Sequence, residues 1–341
     1  MDQGCAGAKD TRRSDALAHV VLAALALCMS ATDVRAQTAA AYPQRPIRMV
    51  VPFAPGGNAD ITARMVGQKL SERLGQQVII DNRGGANSII GTEIAAKAPA
   101  DGYTLVFISN LLATNVVFAG KLPYDSIKDF APLSLTGSTP LLLVVNNGLP
   151  VKSVKELIAL AKSRPGALNY GSSGNGATAN LAGELFNYMA GVNIVHVPYK
   201  GTAQATTDLI GGQMQVGYPS ISSVMPHVRA GKLRALGMTG AQRSALAPDV
   251  PTVAESGVPG YEASIWTGVA APAGMPRTII ERLNREIVAL VRAPETLARL
   301  AALGSDPLTS TPGEFAALIK ADIARWAKLA QASGLRFDLA R

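Results

Sequence analysis

From Ile47 onward, the chain alternates short β-branched runs with amphipathic stretches of helical periodicity. This alternation is typical of α/β proteins, in which helices cover the faces of mainly parallel sheets. Predicted strands cover residues 47–52, 77–81, 104–109, 141–146, 168–170, 194–198, 214–218, 233–238 and 265–271. Predicted helices cover residues 60–74, 89–98, 153–163, 178–190, 203–211, 222–230, 276–292, 294–303 and 311–333.

The alternation of strands and helices runs through the chain twice, which predicts two lobes. It restarts at the apolar strand 141–146, and a Pro- and Gly-rich stretch at 248–260 leads to the last strand. The helices after that strand need a sheet to cover, and we expect them to return to the first lobe. The 305 residues that follow residue 36 also exceed what one hydrophobic core usually spans. We therefore predict a first lobe at 42–141 plus 267–341, a second lobe at 142–266, and two crossovers between them.

The first 36 residues have the features of a signal peptide. Arg12 and Arg13 precede an apolar run at 16–29, and Val34-Arg35-Ala36 places small residues before a cleavage site. The run is shorter than the ~20 residues of a membrane span. Export by the general secretory or the twin-arginine route stays open, and a buried first helix is the alternative interpretation. We expect cleavage before Gln37 and a periplasmic mature protein.

The composition excludes several kinds of site. Cys5 and Cys28 both lie in the predicted signal peptide, so no disulfide or thiol chemistry is expected in the mature chain. Only His196 and His227 remain downstream, whereas a catalytic zinc usually takes three protein ligands, so neither a metal nor a cofactor is predicted. The net charge is +8, but the basic residues are dispersed and aromatic residues make up only 5% of the chain. That pattern favours small anions over nucleic acid as partners.

The stretch "YGSSGNGATANLAGELF" at 170–186 places a glycine turn between a strand and a helix. It matches a phosphate-binding loop except that Ala177 replaces the lysine that grips the phosphates. It also matches a dinucleotide fingerprint, but no acid follows about 20 residues later to hold a ribose. The stretch does not match the nucleophile elbow of serine hydrolases, because Asn175 stands where that motif requires its last glycine. These mismatches disfavour a nicotinamide-dependent or hydrolytic enzyme, which stays the alternative hypothesis.

The feature common to all these motifs is a helix start with free backbone N–H groups and a partial positive charge, which suits any anion. Ser172, Ser173, Asn175 and Thr178 add side-chain donors, although a plain capped turn has a similar composition. Two further turns of this kind follow strands, at 51–60 and 82–88. In open α/β sheets, ligands lie at the carboxyl ends of strands. The three turns therefore predict one anion site in a crevice between the lobes.

Seven short sequence blocks, which occur in a fixed order along the chain, together resemble one protein family. The blocks are "PFAPGGNADITAR", "DNRGGANSIIG", "ADGYTL", "YGSSGNGATANLAGELF", "HVPYKG", "AGKLRAL" and "PDVPTVAESGVPGYE". Over about residues 42–334, they resemble the substrate-binding receptors of tripartite tricarboxylate transporters, the Bug family. The resemblance implies a type II periplasmic-binding-protein fold, the Venus flytrap, with a small carboxylate between two doubly wound α/β lobes. It also implies delivery of that ligand to the permease subunits of a tripartite tricarboxylate transporter by a monomeric receptor that is not an enzyme.

The resemblance further implies which residues form the cleft. The turns at 53–60 and 172–178 form opposing walls, and the loop at 86–88, one strand end at Asn110 and another near Ser220 complete it. The predicted ligand-binding residues are Phe53, Ala54, Pro55, Gly56, Gly57, Asn58, Asp60, Ala86, Asn87, Ser88, Asn110, Ser172, Ser173, Asn175, Gly176, Ala177, Thr178 and Ser220. A carboxylate at Asp60 would repel an anion, so we expect it to brace the N–H groups of its own turn.

Two departures from the family pattern bear on the ligand. The family commonly has serine and histidine where this chain has Ala177 and Asn180, so a hydroxyl and a ring are missing beside the site. The segment "GYPSI" at 217–221 lacks the acid often found there, which favours a plain carboxylic acid over an amine-bearing one. His196 is interpreted as a hydrogen-bonded structural residue. The export signal disfavours a third hypothesis, a regulatory ligand-sensing domain with the same fold.

Overall fold

The structure is a computed structural model that describes residues 42–199 and 201–334. The predicted signal peptide lies outside these residues. Residues from Pro43 onward form one compact unit, which contains every element described below. None of the helices in the described ranges is long and apolar enough to cross a membrane.

The described chain contains ten strands and ten α-helices. The strands are β1 (Ile47–Val51), β2 (Val78–Asn82), β3 (Thr104–Ser109), β4 (Phe130–Pro140), β5 (Leu142–Asn146), β6 (Asn169–Ser172), β7 (Val195–Pro198), β8 (Val216–Gly217), β9 (Leu233–Met238) and β10 (Ser264–Pro272). The helices are α1 (Asn58–Leu74), α2 (Ile89–Ala96), α3 (Leu111–Phe118), α4 (Val154–Ser163), α5 (Thr178–Ala190), α6 (Thr202–Ile210), α7 (Ile221–Arg229), α8 (Arg277–Val291), α9 (Pro294–Ala302) and α10 (Pro312–Ser333). A 3-10 turn at Ala86–Ser88 precedes α2.

The strands form two five-stranded sheets. The first has the order β2-β1-β3-β10-β4, and the second has the order β7-β6-β8-β5-β9. β1 runs parallel to β2 and β3, whereas β10 runs antiparallel to β3 and β4. β6 likewise runs parallel to β7 and β8, whereas β5 runs antiparallel to β8 and β9. Each sheet is therefore mixed, and its antiparallel strand is the first that the chain forms after it crosses from the other sheet.

The chain passes between the sheets twice. β4 ends at Pro140 and β5 begins at Leu142, so the first passage consists of Leu141 alone. The second passage runs from β9 through residues 239–263 to β10. The prediction of two α/β lobes joined by two crossovers is confirmed. The residue limits assigned to each lobe stay a prediction, and "first lobe" and "second lobe" below mean the two sheets with their covering helices.

Two elements are absent from the sequence-based prediction. β4 contains Pro132 and Gly137, which interrupt a strand pattern in the sequence. The strand tolerates proline because it lies at the edge of the first sheet, where it pairs only with β10. α3, with the sequence "LLATNVVF", is mostly buried and has no polar face to mark its period. The ends of both elements lie close to the candidate site described below.

Each lobe has its own hydrophobic core, and the last helix contributes to both. Phe315, near the start of α10, packs with Trp266 in the core of the first lobe. Trp326 and Leu329, near its end, pack in the core of the second lobe. Between them, Asp322 accepts a hydrogen bond of 2.6 Å from Trp266 Nε1. Both tryptophans are therefore packing residues, and α10 ties the two cores together.

Close packing in the second core leads to a stability prediction. A methyl group on Gly183 of α5 would lie 2.4 Å from the ring of Tyr170. Although alanine favours a helix over glycine, Gly183→Ala should lower the free energy of unfolding by at least about 1 kcal/mol through overpacking. Gly313→Ala, in the first turn of α10, is the matched control, because its methyl group would meet no atom within 4 Å. It should raise the free energy of unfolding by about 0.4–1 kcal/mol, and urea unfolding curves that coincide for the two variants would contradict this account.

Candidate functional site

A cavity of about 380 Å³ lies between the lobes and is lined by residues of both. From the first lobe come Phe53, in the turn before α1, and Asn110, directly after β3. From the second lobe come Ser173, directly after β6, and Ser220, directly before α7. Leu141 of the first crossover lines it as well. The cavity thus lies at the carboxyl ends of parallel strands, as expected for a ligand site in open α/β sheets.

Five helices begin at this cavity. Each contributes a lining residue at its N-cap or in its first turn: Asn58 of α1, Leu111 of α3, Thr178 of α5, Thr202 of α6 and Ser220 of α7. The first N–H groups of a helix have no acceptor within the helix, and the helix dipole adds a partial positive charge. At none of these five starts does the side chain of the N-cap residue accept such an N–H group. At the start of α3, the N–H of Leu111 donates to Ser109 Oγ at 3.2 Å. The remaining first-turn N–H groups of the five helices therefore give the cavity its free donors and a positive potential.

Two helices outside the cavity are capped differently. Ser153 at the start of α4 accepts the N–H of Glu156, and Thr311 at the start of α10 accepts the N–H of Glu314, both at 3.2 Å. α8 and α9 also begin without a side-chain cap and contribute nothing to the cavity lining. An uncapped start is therefore not diagnostic by itself, whereas the convergence of five such starts on one cavity is specific to this place.

Asp60 fixes the turn that precedes α1. Its buried carboxylate accepts hydrogen bonds from Gly56 N at 2.9 Å, Arg64 Nε at 3.0 Å and Asn82 Nδ2 at 2.8 Å. Burial would raise the pKa of Asp60, but the hydrogen bonds from Arg64, Gly56 and Asn82 outweigh it and hold the pKa below its usual value. Asp60 is therefore ionised at neutral pH. The expectation that it braces its own turn is confirmed for the N–H of Gly56.

Asn180 fixes the turn that precedes α5. Its Oδ1 accepts the N–H of Gly176 at 2.9 Å, and its Nδ2 donates to Tyr170 Oη at 3.0 Å. Tyr170 Oη donates in turn to Glu184 Oε1 at 2.7 Å. Asn180 is only 1% exposed and holds the turn from behind the cavity wall. From the sequence, this position was noted only because it lacks the histidine ring that is common in the family. The role of Asn180 in holding the turn was not predicted.

Ser172 also lies behind the cavity wall. Its Oγ is 2.7 Å from His196 Nε2 and donates to Gly174 O at 2.8 Å. Ser172 is buried and lines no part of the cavity, whereas the next residue, Ser173, does. Burial lowers the pKa of His196, which favours the neutral ring at neutral pH. The interpretation of His196 as a hydrogen-bonded structural residue is confirmed.

The loop between β2 and α2 reaches the cavity through Asn87. Ala86, Asn87 and Ser88 have φ values of 44°, 53° and 73°, in the left-handed region that costs energy for residues other than glycine. Asn115, fully buried on α3, holds the loop by donating from Nδ2 to Asn87 O at 2.8 Å. The strained loop is thus fixed from the core of the first lobe, which keeps Asn87 at the cavity wall.

Asn110 has an unused donor at the cavity. It is 2% exposed, and its Nδ2 has no hydrogen-bond partner among the described residues. A buried donor without a partner costs about 1–3 kcal/mol. Since Asn110 lines the cavity, a bound acceptor would remove that cost.

None of the described residues that line the cavity carries a formal charge. Phe53, Leu111, Leu141 and Ile265 give it apolar surface, and the polar lining consists of amides, hydroxyls and backbone groups. Nowhere within residues 42–199 and 201–334 do three or more potential metal ligands lie together. Such a site suits the reversible binding of a small anion by neutral donors.

The structure brings half of the predicted site residues to the cavity. Those that line it are Phe53, Asn58, Asn87, Asn110, Ser173, Gly176, Ala177, Thr178 and Ser220. The others lie in the same turns but outside the lining, and these are Ala54, Pro55, Gly56, Gly57, Asp60, Ala86, Ser88, Ser172 and Asn175. Direct ligand contact stays a prediction for every member of the set.

The cavity also contains residues that were not predicted from the sequence. Thr202 follows Gly201 at the start of α6, so a fourth glycine turn was present in the sequence as a signal. Thr139 and Thr267 lie on the paired strands β4 and β10, and β4 was not predicted. Ser305 comes from the loop after α9, and no local sequence signal places it here.

Comparison with known proteins gives the family. Residues 62–335 match the model of the tripartite tricarboxylate transporter family receptor. Protein BugT of Bordetella pertussis is 38% identical over 319 residues, which cover 93% of this chain and 98% of BugT. The solved structure of R. palustris Rpa4515 with adipate has a TM-score of 0.70 and 39% identity, covering 86% of this chain and 98% of that one. The structure of MatC from Rhodopseudomonas palustris with bound malate has a TM-score of 0.66 and 31% identity, covering 84% and 99%.

These likenesses extend over nearly the whole described chain and share its two-lobed α/β architecture. The predicted type II periplasmic-binding-protein fold is therefore confirmed, and so is the prediction of a substrate-binding receptor rather than an enzyme. This chain belongs to the receptor family of tripartite tricarboxylate transporters.

Proposed function

We propose that this chain is an extracytoplasmic receptor that captures a small carboxylate in the cavity between its lobes. One observation carries the proposal: five helix starts whose N-cap side chains accept no helix N–H group, together with the unpaired amide of Asn110, meet in a cavity whose described lining residues are uncharged. Free N–H groups at helix starts are suited to anions. The adipate and malate bound by the two solved relatives support a carboxylate as that anion.

Binding energies favour a ligand held by both lobes. Micromolar affinity needs about −8 kcal/mol, a charge-assisted hydrogen bond contributes about 1.5–3 kcal/mol, and association itself costs at least ~4 kcal/mol. Four or more good bonds are therefore required. The first lobe supplies the starts of α1 and α3, and the second supplies those of α5, α6 and α7. Neither set reaches the required number easily by itself, so both lobes contribute to binding.

The nine predicted residues that line the cavity are the proposed contacts, and the other nine shape the turns that present them. The apolar side chains of Phe53, Leu111, Leu141 and Ile265 would accept the hydrocarbon part of the ligand. Ser220 lines the cavity in the segment where related receptors often have an acid. Because its side chain is neutral, it favours a carboxylic acid ligand that has no amino group.

Export by residues 1–36 would place the receptor in the periplasm. There it would deliver its ligand to the permease subunits of a tripartite tricarboxylate transporter, in keeping with the family to which it belongs. This step would require the permease to recognise the ligand-bound receptor.

A thermal-shift screen tests the proposed ligand class. The panel contains adipate, malate, succinate, citrate, glutamate and benzoate, with ATP and NAD as controls. At a concentration of 100 Kd, a true ligand adds about 2.7 kcal/mol of stability, which corresponds to a Tm increase of several degrees. We expect such an increase for at least one acid and none for the nucleotides. Stabilisation by a nucleotide alone, or by no member of the panel, would contradict the proposal.

A further inference from the structure

The two glycine turns of the cavity share one hydrogen-bond arrangement. Gly56 N donates to the side chain of Asp60 and Gly176 N donates to the side chain of Asn180, each across four residues and each at 2.9 Å. Both glycines have positive φ values, 84° and 74°. The next backbone bond also matches, since Ile61 N donates to Gly57 O and Leu181 N donates to Ala177 O, both at 2.9 Å.

This arrangement leaves the start of each helix open. The N-cap residues Gly57 and Ala177 have no side-chain oxygen, so they cannot accept the first N–H groups of α1 and α5. The third helical residue instead reaches back and fixes the N–H that precedes the N-cap. The residues between, Asn58 and Ala59 in one lobe and Thr178 and Ala179 in the other, all line the cavity. The brace thus orders the turn without using the donors that face the ligand.

The two braces differ in charge. Asp60 is a carboxylate that also binds Arg64 and Asn82, so a cation lies directly beside it. Asn180 is neutral, and its amide nitrogen donates to Tyr170 Oη. The hydrogen-bond partners of the Asn180 side chain within the described residues are Gly176 and Tyr170, so a carboxylate there would have no cation bonded to it.

We propose that Asp60 and Asn180 are matched positioning residues, and that the presence or absence of charge at these two positions sets the affinity of the cavity for a carboxylate. This inference rests on the proposed function. The neutral amide at Asn180 keeps the second turn free of negative charge, whereas the first turn tolerates the charge of Asp60 because Arg64 neutralises it. Charge changes at the two equivalent positions should therefore alter affinity in opposite directions.

The test exchanges the two side-chain types, Asn180→Asp and Asp60→Asn. The probe in titration calorimetry is the acid that the wild type binds most tightly. It is chosen from the panel of adipate, malate, succinate, citrate, glutamate and benzoate. Asn180→Asp should weaken binding by roughly tenfold or more at pH 8, because a new negative charge lies behind the turn. Asp60→Asn should tighten binding by about two- to tenfold, because the amide can still accept the N–H of Gly56 while Arg64 loses its counter-ion.

The pH profile separates charge from a structural effect. Binding to Asn180→Asp should recover between pH 8 and pH 5, as the new carboxyl, whose pKa burial would raise, becomes neutral. Near this position, Glu184 and Tyr170 lie in the same hydrogen-bond chain, and the rings of His196 and Tyr218 pack against Tyr170. Burial raises the pKa of both tyrosines, so they stay neutral throughout this range. The wild type, measured at each pH, is the control for His196 and for every other group that both proteins share.

Each outcome decides one question. A wild type that binds no acid of the panel overturns the proposed function, and this inference with it. A wild type that binds, with both variants at wild-type affinity, overturns the inference alone. A loss in Asn180→Asp that does not recover at low pH also overturns it, because the side chain then matters only for folding. If Asn180→Asp does not fold, Asp60→Asn decides the question, and an affinity of Asp60→Asn at or below that of the wild type overturns the inference.

Asn187→Asp is the control for a remote added charge. Asn187 lies on the same helix as Asn180 but outside the cavity lining, and this variant should keep wild-type affinity.

Discussion

An Asn110→Asp variant should lose nearly all carboxylate binding at neutral pH. The substitution keeps the shape of the side chain but places a negative charge in a buried position that lines the proposed carboxylate cavity. Two like charges about 4 Å apart repel each other by about 4 kcal/mol at an effective dielectric constant of about 20. That energy corresponds to a roughly thousandfold loss of affinity. Calorimetry with the acid identified by thermal shift measures it.

The control for this variant is Asn110→Leu, which removes the donor without adding a charge. It should weaken binding by about five- to 150-fold, the value of one hydrogen bond. The two variants also differ in their response to pH. Burial should raise the pKa of the carboxyl that Asn110→Asp introduces, so its charge is present above that pKa and is lost as the pH falls. Affinity of Asn110→Asp should therefore rise toward that of Asn110→Leu at low pH. Equal affinity in wild type and both variants would show that Asn110 does not contact the ligand.

The sequence predicted those strands and helices that show a clear repeat of hydrophobic and polar residues within their own segment. Strand β3 and helix α5 have clear hydrophobic patterns, and their predicted limits match the observed ones. β4 could not be found, because its stability comes from pairing with β10, which lies more than a hundred residues later in the chain. α3 has no polar face, since it is buried against α10 and the first core. Periodicity reports exposure to solvent, so it fails for elements that are buried all round or placed by remote partners.

The site was predicted at the level of turns but not of individual side chains. Ser172 and Ser173 are both plausible donors in the sequence, but successive residues in an extended segment point in opposite directions. Ser172 therefore meets His196 in the interior, and Ser173 reaches the cavity. Which of the two faces the cavity depends on the register of β6 with β7, a contact between distant segments.

The sequence contains one signal for the residues that support the two turns. The first turn reads "GGNAD" at 56–60 and the second reads "GATAN" at 176–180, with glycine first and a side-chain acceptor last in both. The shared spacing corresponds to the shared bond from a glycine N–H to a residue four positions later. The repeat was hidden because the two lobes differ in most other residues. It shows that both lobes use the same hydrogen bond to fix the turn before a helix that begins at the cavity.

The double variant Gly56→Val/Gly176→Val should lose all carboxylate binding. Each single substitution should weaken binding by roughly ten- to 100-fold, which is the equivalent of one or two hydrogen bonds. The native φ values of 84° and 74° are strongly unfavourable for a β-branched residue, so each turn must change its backbone and misplace the N–H groups that follow. With both turns displaced, fewer than the four good bonds required for micromolar binding remain.

A matched control separates this loss from general destabilisation. Gly231 has a φ of 69°, and a Cβ there would meet no atom within 4 Å, so Gly231→Val imposes the same backbone strain outside the cavity lining. It should lower the free energy of unfolding by about 1–3 kcal/mol, as the other two should, but leave the affinity unchanged. Urea unfolding and calorimetry on the folded variants measure both quantities. If Gly56→Val and Gly176→Val bind the acid as tightly as Gly231→Val does, the two turns only support the fold, and the carboxylate must be held elsewhere in the cavity, by groups such as Asn110 and the start of α6.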